Sequence, residues 1–223
     1  MKLFPNFKKA SQFFADQDKR LSRLIEIVGP MKMDLDPDES VFQSLSRSII
    51  YQQLHGKAAA TIHARFIALF PKHEHPLPKE VKAASVELLR TAGLSNAKSL
   101  ALIDLADKTE KKLIPDRAAT HSMTDLEIVE ALTSVRGIGP WTAEMFLIFT
   151  LGRPDVLPIG DFAVRKAFGA VYKKGVAPTP EQLLKFGEKW RPYRSIASWY
   201  MWRALELAEF NPPKPQKPMK KRS

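Results

Sequence analysis

The chain has 223 residues, with 35 Lys and Arg against 24 Asp and Glu for a formal charge of +11, and 44% of it is hydrophobic. That apolar share is enough for a real core and excludes a disordered or collagen-like chain. With no cysteine, a disulfide framework, a thiolate zinc site, an iron–sulfur cluster and a catalytic thiol are excluded together.

The opening MKLFPNFKKASQFFADQDKR carries charges where a secretory signal is apolar, and no later segment approaches the roughly 18 uncharged residues of a membrane span. A soluble protein is expected, and a basic excess on such a chain points to nucleic acid. Asp36-Pro37-Asp38-Glu39 supplies a cap, a first-turn proline and an acidic third position, which predicts a helix start followed by Phe42, Leu45, Ile49 and Ile50 at helical spacing. Further starts are predicted at Ser95, leading into Leu100, Ile103 and Leu105, at Thr124 with Glu127, and at Thr179-Pro180 with Gln182. Glycines 56, 93, 137, 139, 152 and 175 fall between the periodic segments, where stops and turns belong.

About ten short helices and an all-α body over residues 1–210 follow. Two helical lobes are expected, with the segments near Gln52–Ala60 and Gly137–Ala143 as candidates for different lobes. Residues 211–223, NPPKPQKPMKKRS, hold four prolines, five basic residues and no acid, and read as a disordered basic tail.

The segment Leu132-Thr133-Ser134-Val135-Arg136-Gly137-Ile138-Gly139-Pro140-Trp141-Thr142-Ala143 reads as a helix, a tight turn with two glycines, and a second helix opened by Pro140. Such a turn leaves backbone N–H groups facing outward, and without side chains at Gly137 and Gly139 a phosphate can approach them. A bare GxG is more often an ordinary turn. The longer pattern V-R-G-I-G-P-W-T-A, however, resembles the hairpin of the helix-hairpin-helix DNA glycosylase superfamily.

Three further segments carry the resemblance. Leu157-Pro158-Ile159-Gly160-Asp161-Phe162-Ala163-Val164-Arg165-Lys166 places Asp161 at a helix start about twenty residues beyond the hairpin, where the family has its aspartate. Ile49-Ile50-Tyr51-Gln52-Gln53-Leu54-His55-Gly56-Lys57-Ala58-Ala59 looks like the helix end that fills the hole left by an extruded nucleotide. Trp190-Arg191-Pro192-Tyr193-Arg194-Ser195, with Ala197 and Trp202, resembles the alkylpurine branch, the 3-methyladenine DNA glycosylase II type.

The resemblance implies an all-α, two-lobed glycosylase fold without the N-terminal β domain of the larger bacterial form, since only about forty residues precede the Gln52 helix. It implies base excision repair: flipping of 3-methyladenine- or 7-methylguanine-type purines out of duplex DNA, then hydrolysis of the glycosidic bond. Asp161 is the implied catalytic carboxylate. Cleavage develops positive charge on the deoxyribose, which a carboxylate stabilises while orienting water, and a helix N-terminus favours a negative group. Standing alone, the same residue would be a plain N-cap. Gly137, Ile138, Gly139 and Thr142 are the implied phosphate contacts, and Gln52, Gln53 and Leu54 the wedge. Trp141, Trp202, Tyr51 and Met145 are the candidate base pocket. An alkylated purine is cationic, so an electron-rich ring favours it and no general acid is needed. Met145 stands where the bacterial type can carry an aromatic, and Trp199 and Tyr200 read as core.

Bifunctional members of the family carry a lysine beside the turn for Schiff-base chemistry; Trp141 is here, which implies a monofunctional enzyme leaving an intact abasic site. No cofactor is expected beyond a monovalent cation held by hairpin backbone carbonyls, as the family allows. His73-Glu74-His75 reads as a solvated loop rather than a metal pair, and His55 and His63 as helix surface or interhelical groups. The expected partner is duplex DNA with alkylated bases, bound by a monomer with no membrane contact, in the bacterial cytoplasm at the nucleoid or in a eukaryotic nucleus. Two rival readings are a non-catalytic DNA-binding module and a glycosylase for deaminated or oxidised bases.

Overall fold

The computed structural model describes residues 2–33 and 35–210. In chain order the elements are β1 (Lys2–Leu3), α1 (Phe7–Gln17), α2 (Lys19–Val28), β2 (Lys32–Met33), α3 (Val41–Tyr51), α4 (Gly56–Ala68), α5 (Pro78–Ala83), α6 (Val86–Thr91), α7 (Asn96–Glu110), α8 (Asp125–Thr133), α9 (Pro140–Phe149), α10 (Phe162–Tyr172), α11 (Pro180–Gly187) and α12 (Arg194–Ala204). Short 3-10 turns lie at Ala119–His121 and Glu188–Trp190. The twelve α-helices against one antiparallel two-stranded ribbon make this an all-α protein among its described residues. No described helix is long and apolar enough to cross a membrane.

The chain divides into two compact units. One joins the chain up to residue 34 to that from Gly152 onward; the other is Leu35–Leu151. In the first unit, α12 packs on α10 and α2, and α1 on α2, around Phe14, Leu21, Leu24, Phe168, Trp190 and Tyr200. In the second, α7 packs against α3, α5 and α6, with α8 on α9 and α3 on α4. Both segments assigned above to different lobes, 52–60 and 137–143, lie in the second unit, whereas Asp161 and Trp202 lie in the first. That corrects the expected division: the chain leaves and re-enters one unit, and an excursion of this kind has no local signature.

The caps at Ser95, Thr124 and Thr179 are as expected, the latter two closed into capping boxes by Glu127 and Gln182. The start expected at Asp36-Pro37 is displaced. Asp36 Oδ1 accepts the Asp38 N–H at 2.9 Å, closing a local turn that competes with helix, and α3 begins instead behind Ser40 with Gln43 completing a capping box. The buried face of α7 also differs: Ala101, Leu102, Leu105 and Ala106 face inward, while Leu100 and Ile103 are only half-buried. Small residues let neighbouring helices approach closely, so counting large apolar side chains found Leu105 but missed the alanines at 101 and 106. The tail at 211–223 lies outside the described residues.

Candidate functional site

The glycine turn forms as its sequence requires. Gly137 takes φ +77°, a left-handed value that a side chain would strain, and Gly139 caps α9 in an extended conformation with Pro140 at the first helical position. No side chain caps this helix, so its N-terminus is the uncapped, positive end of the helix dipole, where an anion is favoured. Gly137 and Gly139 are exposed, whereas Ile138 and Thr142 are buried; any phosphate contact by those two runs through the main chain.

What holds the turn is α7, which the motif did not indicate. Asp104 Oδ2 accepts the Arg136 N–H at 2.7 Å, and Lys108 Nζ donates to the Ser134 carbonyl. Nearly two turns before Asp104 in the same helix, Lys98 Nζ donates to the carbonyls of Ile50 and Gln52 at 2.7 and 2.8 Å, satisfying the C-terminal end of α3. Burial pushes the Lys98 ammonium below its ordinary pKa. The Gln52 side-chain amide in turn donates to the Gly137 carbonyl at 3.0 Å. Of the three expected wedge residues, Gln52 is therefore tied to the turn, while Gln53, at φ +56°, and Leu54 form the exposed tip. A left-handed glutamine is uncommon and signals a loop held in shape by its surroundings.

In the other unit Asp161 is the N-cap of α10 and only 8% exposed. Its Oδ1 accepts the Val164 N–H at 2.8 Å and the Trp202 indole N–H at 3.3 Å, so a carboxylate and an electron-rich ring distant in sequence meet at one helix end. The segment leading to Asp161 is pinned to the start of α12. Arg194 donates to the Asp155 carboxylate and carbonyl at 2.7 and 2.8 Å, Ser195 Oγ donates to the Arg153 carbonyl at 2.6 Å, and the Val156 N–H donates back to Ser195 Oγ at 2.9 Å. This is the work of the Arg194-Ser195 motif, and Asp155 is a participant with no sequence signal of its own.

The remaining expected pocket residues belong to the 35–151 unit. Trp141 is 48% exposed, Tyr51 is exposed with its ring in a T-shaped contact with His63, and Met145 is half-buried. Tyr200 is core, its hydroxyl donating to the Gly29 carbonyl at 2.7 Å, and Trp199 packs against it. His73 lies 3.8 Å from Glu80, and among the described residues no three His, Cys, Asp or Glu side chains form a metal cluster. A monovalent cation at the turn would be held by main-chain oxygens. Those of Ser134, Val135 and Gly137 already accept from Lys108, the Ile138 N–H and Gln52.

Residues 46–192 match the model of the HhH-GPD superfamily of base excision DNA repair proteins. The chain is 33% identical to DNA-3-methyladenine glycosylase 1 of Schizosaccharomyces pombe over 95% of its own length and 92% of that protein's. Its fold is similar to the 3-methyladenine DNA glycosylase of the same yeast in complex with abasic DNA, with TM-score 0.78 over 91% of this chain and 98% of that one. It is equally similar to a DNA-3-methyladenine glycosidase from Bacillus halodurans, with 33% identity and TM-score 0.80 over 92% of each chain.

Proposed function

Because the chain belongs to the HhH-GPD superfamily of base excision DNA repair proteins, we propose that it is a monofunctional glycosylase that removes 3-methyladenine- and 7-methylguanine-type purines from duplex DNA. The observation that carries this reading is the Asp161 carboxylate, buried at the head of α10 and bonded to the Trp202 indole.

Alkylation makes the purine a cation, which departs as a neutral base when the C1′–N bond breaks. The electron pair leaves with the base, the sugar takes up positive charge, and the carboxylate of Asp161 lies against that charge. Water adds to C1′, loses one proton and leaves a hydroxyl on an intact abasic site. Trp202 serves the reaction twice: its ring face attracts the cationic base, and its N–H fixes one carboxylate oxygen. The N–H groups around Gly137, Ile138, Gly139 and Thr142 receive a DNA phosphate, and Gln53 with Leu54 fill the vacated stack while Gln52 braces them. Trp141, Tyr51 and Met145 are further contacts to the extruded base. No step needs a cofactor, and the enzyme works as a monomer on the DNA of nucleoid or nucleus.

The test uses duplexes carrying single defined lesions, with wild type and Asp161→Asn, followed by alkaline cleavage of abasic sites. Asparagine still caps α10, so the helix stays formed while the charge is lost. Base release from methylated duplexes should fall on the order of 10²–10³-fold with duplex binding retained. No release by wild type from any alkylated duplex sinks the activity. Faster release of hypoxanthine or oxidised purine overturns the substrate class, and strand nicking without alkali overturns the monofunctional mechanism.

A further inference from the structure

A cavity of about 680 Å³ lies wholly within the Asp161-bearing unit, between the end of α10, the loop that follows it, and α11. Its apolar surface comes from Phe168, Val176, Pro178 and Phe186, and its mouth carries Lys173, Lys185 and Lys189 with no carboxylate among the lining residues. A second cavity of about 330 Å³ shares Lys173, Phe186 and Lys189 and adds Lys19, Arg20 and the carboxylate of Asp18, so the two cavities adjoin at Phe186. Here Lys189 is committed: it pairs with the buried Asp18 at 2.9 Å and lies 4.0 Å over the Phe186 ring centre. Lys173 and Lys185 form no ion pair with a described residue.

The wall of this cavity is built. Lys174 and Gly175 take left-handed φ values of +52° and +91°, folding the loop back onto α10. There the Val176 carbonyl comes so close to Gly169 that a Cβ on Gly169 would stand 2.6 Å from it. Glycine within a helix costs stability relative to alanine, and at this place it admits the loop. The loop leaves Val176 70% exposed at the rim, an apolar side chain beside uncompensated ammonium groups. Along α10, Phe168 in the cavity wall stands seven residues from Asp161, about 10 Å of helix.

We propose that this groove is a docking site for a protein partner, and that its ligand is an acidic segment with an aromatic or leucyl anchor. The size and aromatic lining suit one buried anchor with convergent polar contacts, and the unpaired lysines select carboxylates on either side of it. A DNA phosphate would meet the lysines and leave the apolar floor unused, which is why a peptide is favoured over nucleic acid.

The probe is a fluorescein-labelled peptide with Phe and Leu three positions apart between Asp-Glu runs, titrated by anisotropy into the full-length protein. Saturable binding is expected, weakened at least tenfold by Lys173→Glu with Lys185→Glu and, independently, by the surface change Val176→Asp. Base release from a methylated duplex should stay at the wild-type rate in all of these variants, so the outcome is independent of the glycosylase assignment. Failure to saturate, or equal binding by a peptide with both anchors changed to alanine, overturns the proposal. It is overturned also if the lysine variants bind peptide normally but lose affinity for undamaged duplex, which would make the groove a DNA contact.

Discussion

At the scale of single residues, the Asp161–Trp202 contact has consequences that separate its two components. Trp202→Ala removes the ring and the N–H together and should slow release of cationic lesions by about 10-fold more than release of neutral ones, the worth of roughly 1–2 kcal/mol of cation–π attraction. Trp202→Phe keeps a ring but not the donor, so it should slow every substrate while keeping most of that preference; single-turnover rates on paired methylated and hypoxanthine duplexes measure both. Equal losses in both variants on all substrates mean packing damage instead. Lys98 is a positioning residue. Lys98→Met strips two carbonyls at the end of α3 of their donor, which costs about 2 kcal/mol locally and loosens the loop that Gln52 ties to Gly137. Half-saturating concentrations of methylated duplex should rise about tenfold with a smaller change in the rate at saturation, and Lys98→Arg should restore part of the loss. Asp161 and the glycine turn were legible because each is a local signal, a cap or a left-handed turn. Lys98, Asp104 and Asp155 were not, because nothing in their own neighbourhoods distinguishes them from ordinary surface charges.

At the scale of helices, the unit that carries Asp161 is knotted at Asp18. Buried at the head of α2, this carboxylate accepts the Leu21 N–H, the Tyr172 hydroxyl at 2.9 Å and the Trp190 indole at 3.0 Å, and pairs with Lys189, joining α2 to α10 and to the turn before α12. Burial pushes its pKa upward, but the bonds from Trp190, Lys189, Leu21 and Tyr172 outweigh that and hold it below the ordinary 3.8. A carboxyl depressed on folding contributes stability that is complete above its unfolded pKa and is lost as pH falls through the folded one. Thermal midpoints should therefore drop as pH falls below about 4, and Asp18→Asn should flatten that acid limb while lowering stability at neutral pH by about 2 kcal/mol. An unchanged acid limb in the variant assigns the acid sensitivity to other carboxylates. Helix identity was readable wherever a capping box announces it, as at Thr124 and Thr179. The start of α3 was misread because an Asx turn at Asp36 and an N-cap use the same residue types.

For the whole molecule, the formal +11 divides unevenly, because Lys214, Lys217, Lys220, Lys221 and Arg222 supply five of those charges within the last thirteen residues. Deleting residues 211–223 should weaken duplex binding at low salt and lower the salt slope by up to about 4, while base release at saturating enzyme is unchanged. A collapse of single-turnover release would show that the tail takes part in chemistry. The sequence by itself determined the helical class, the capped helix that presents Asp161 and the side-chain-free turn at Gly137 and Gly139, since caps and turns act over three or four residues and leave their composition behind. Only the tertiary structure decided that the wedge segment and the turn share one unit, that Gln52 reaches Gly137 across 85 positions, and that Trp202 meets Asp161 across 41. Those contacts arise from helix packing, in which small residues such as Ala101 and Ala106 set the approach of neighbouring helices, and no local pattern encodes which distant partner is brought within a hydrogen bond.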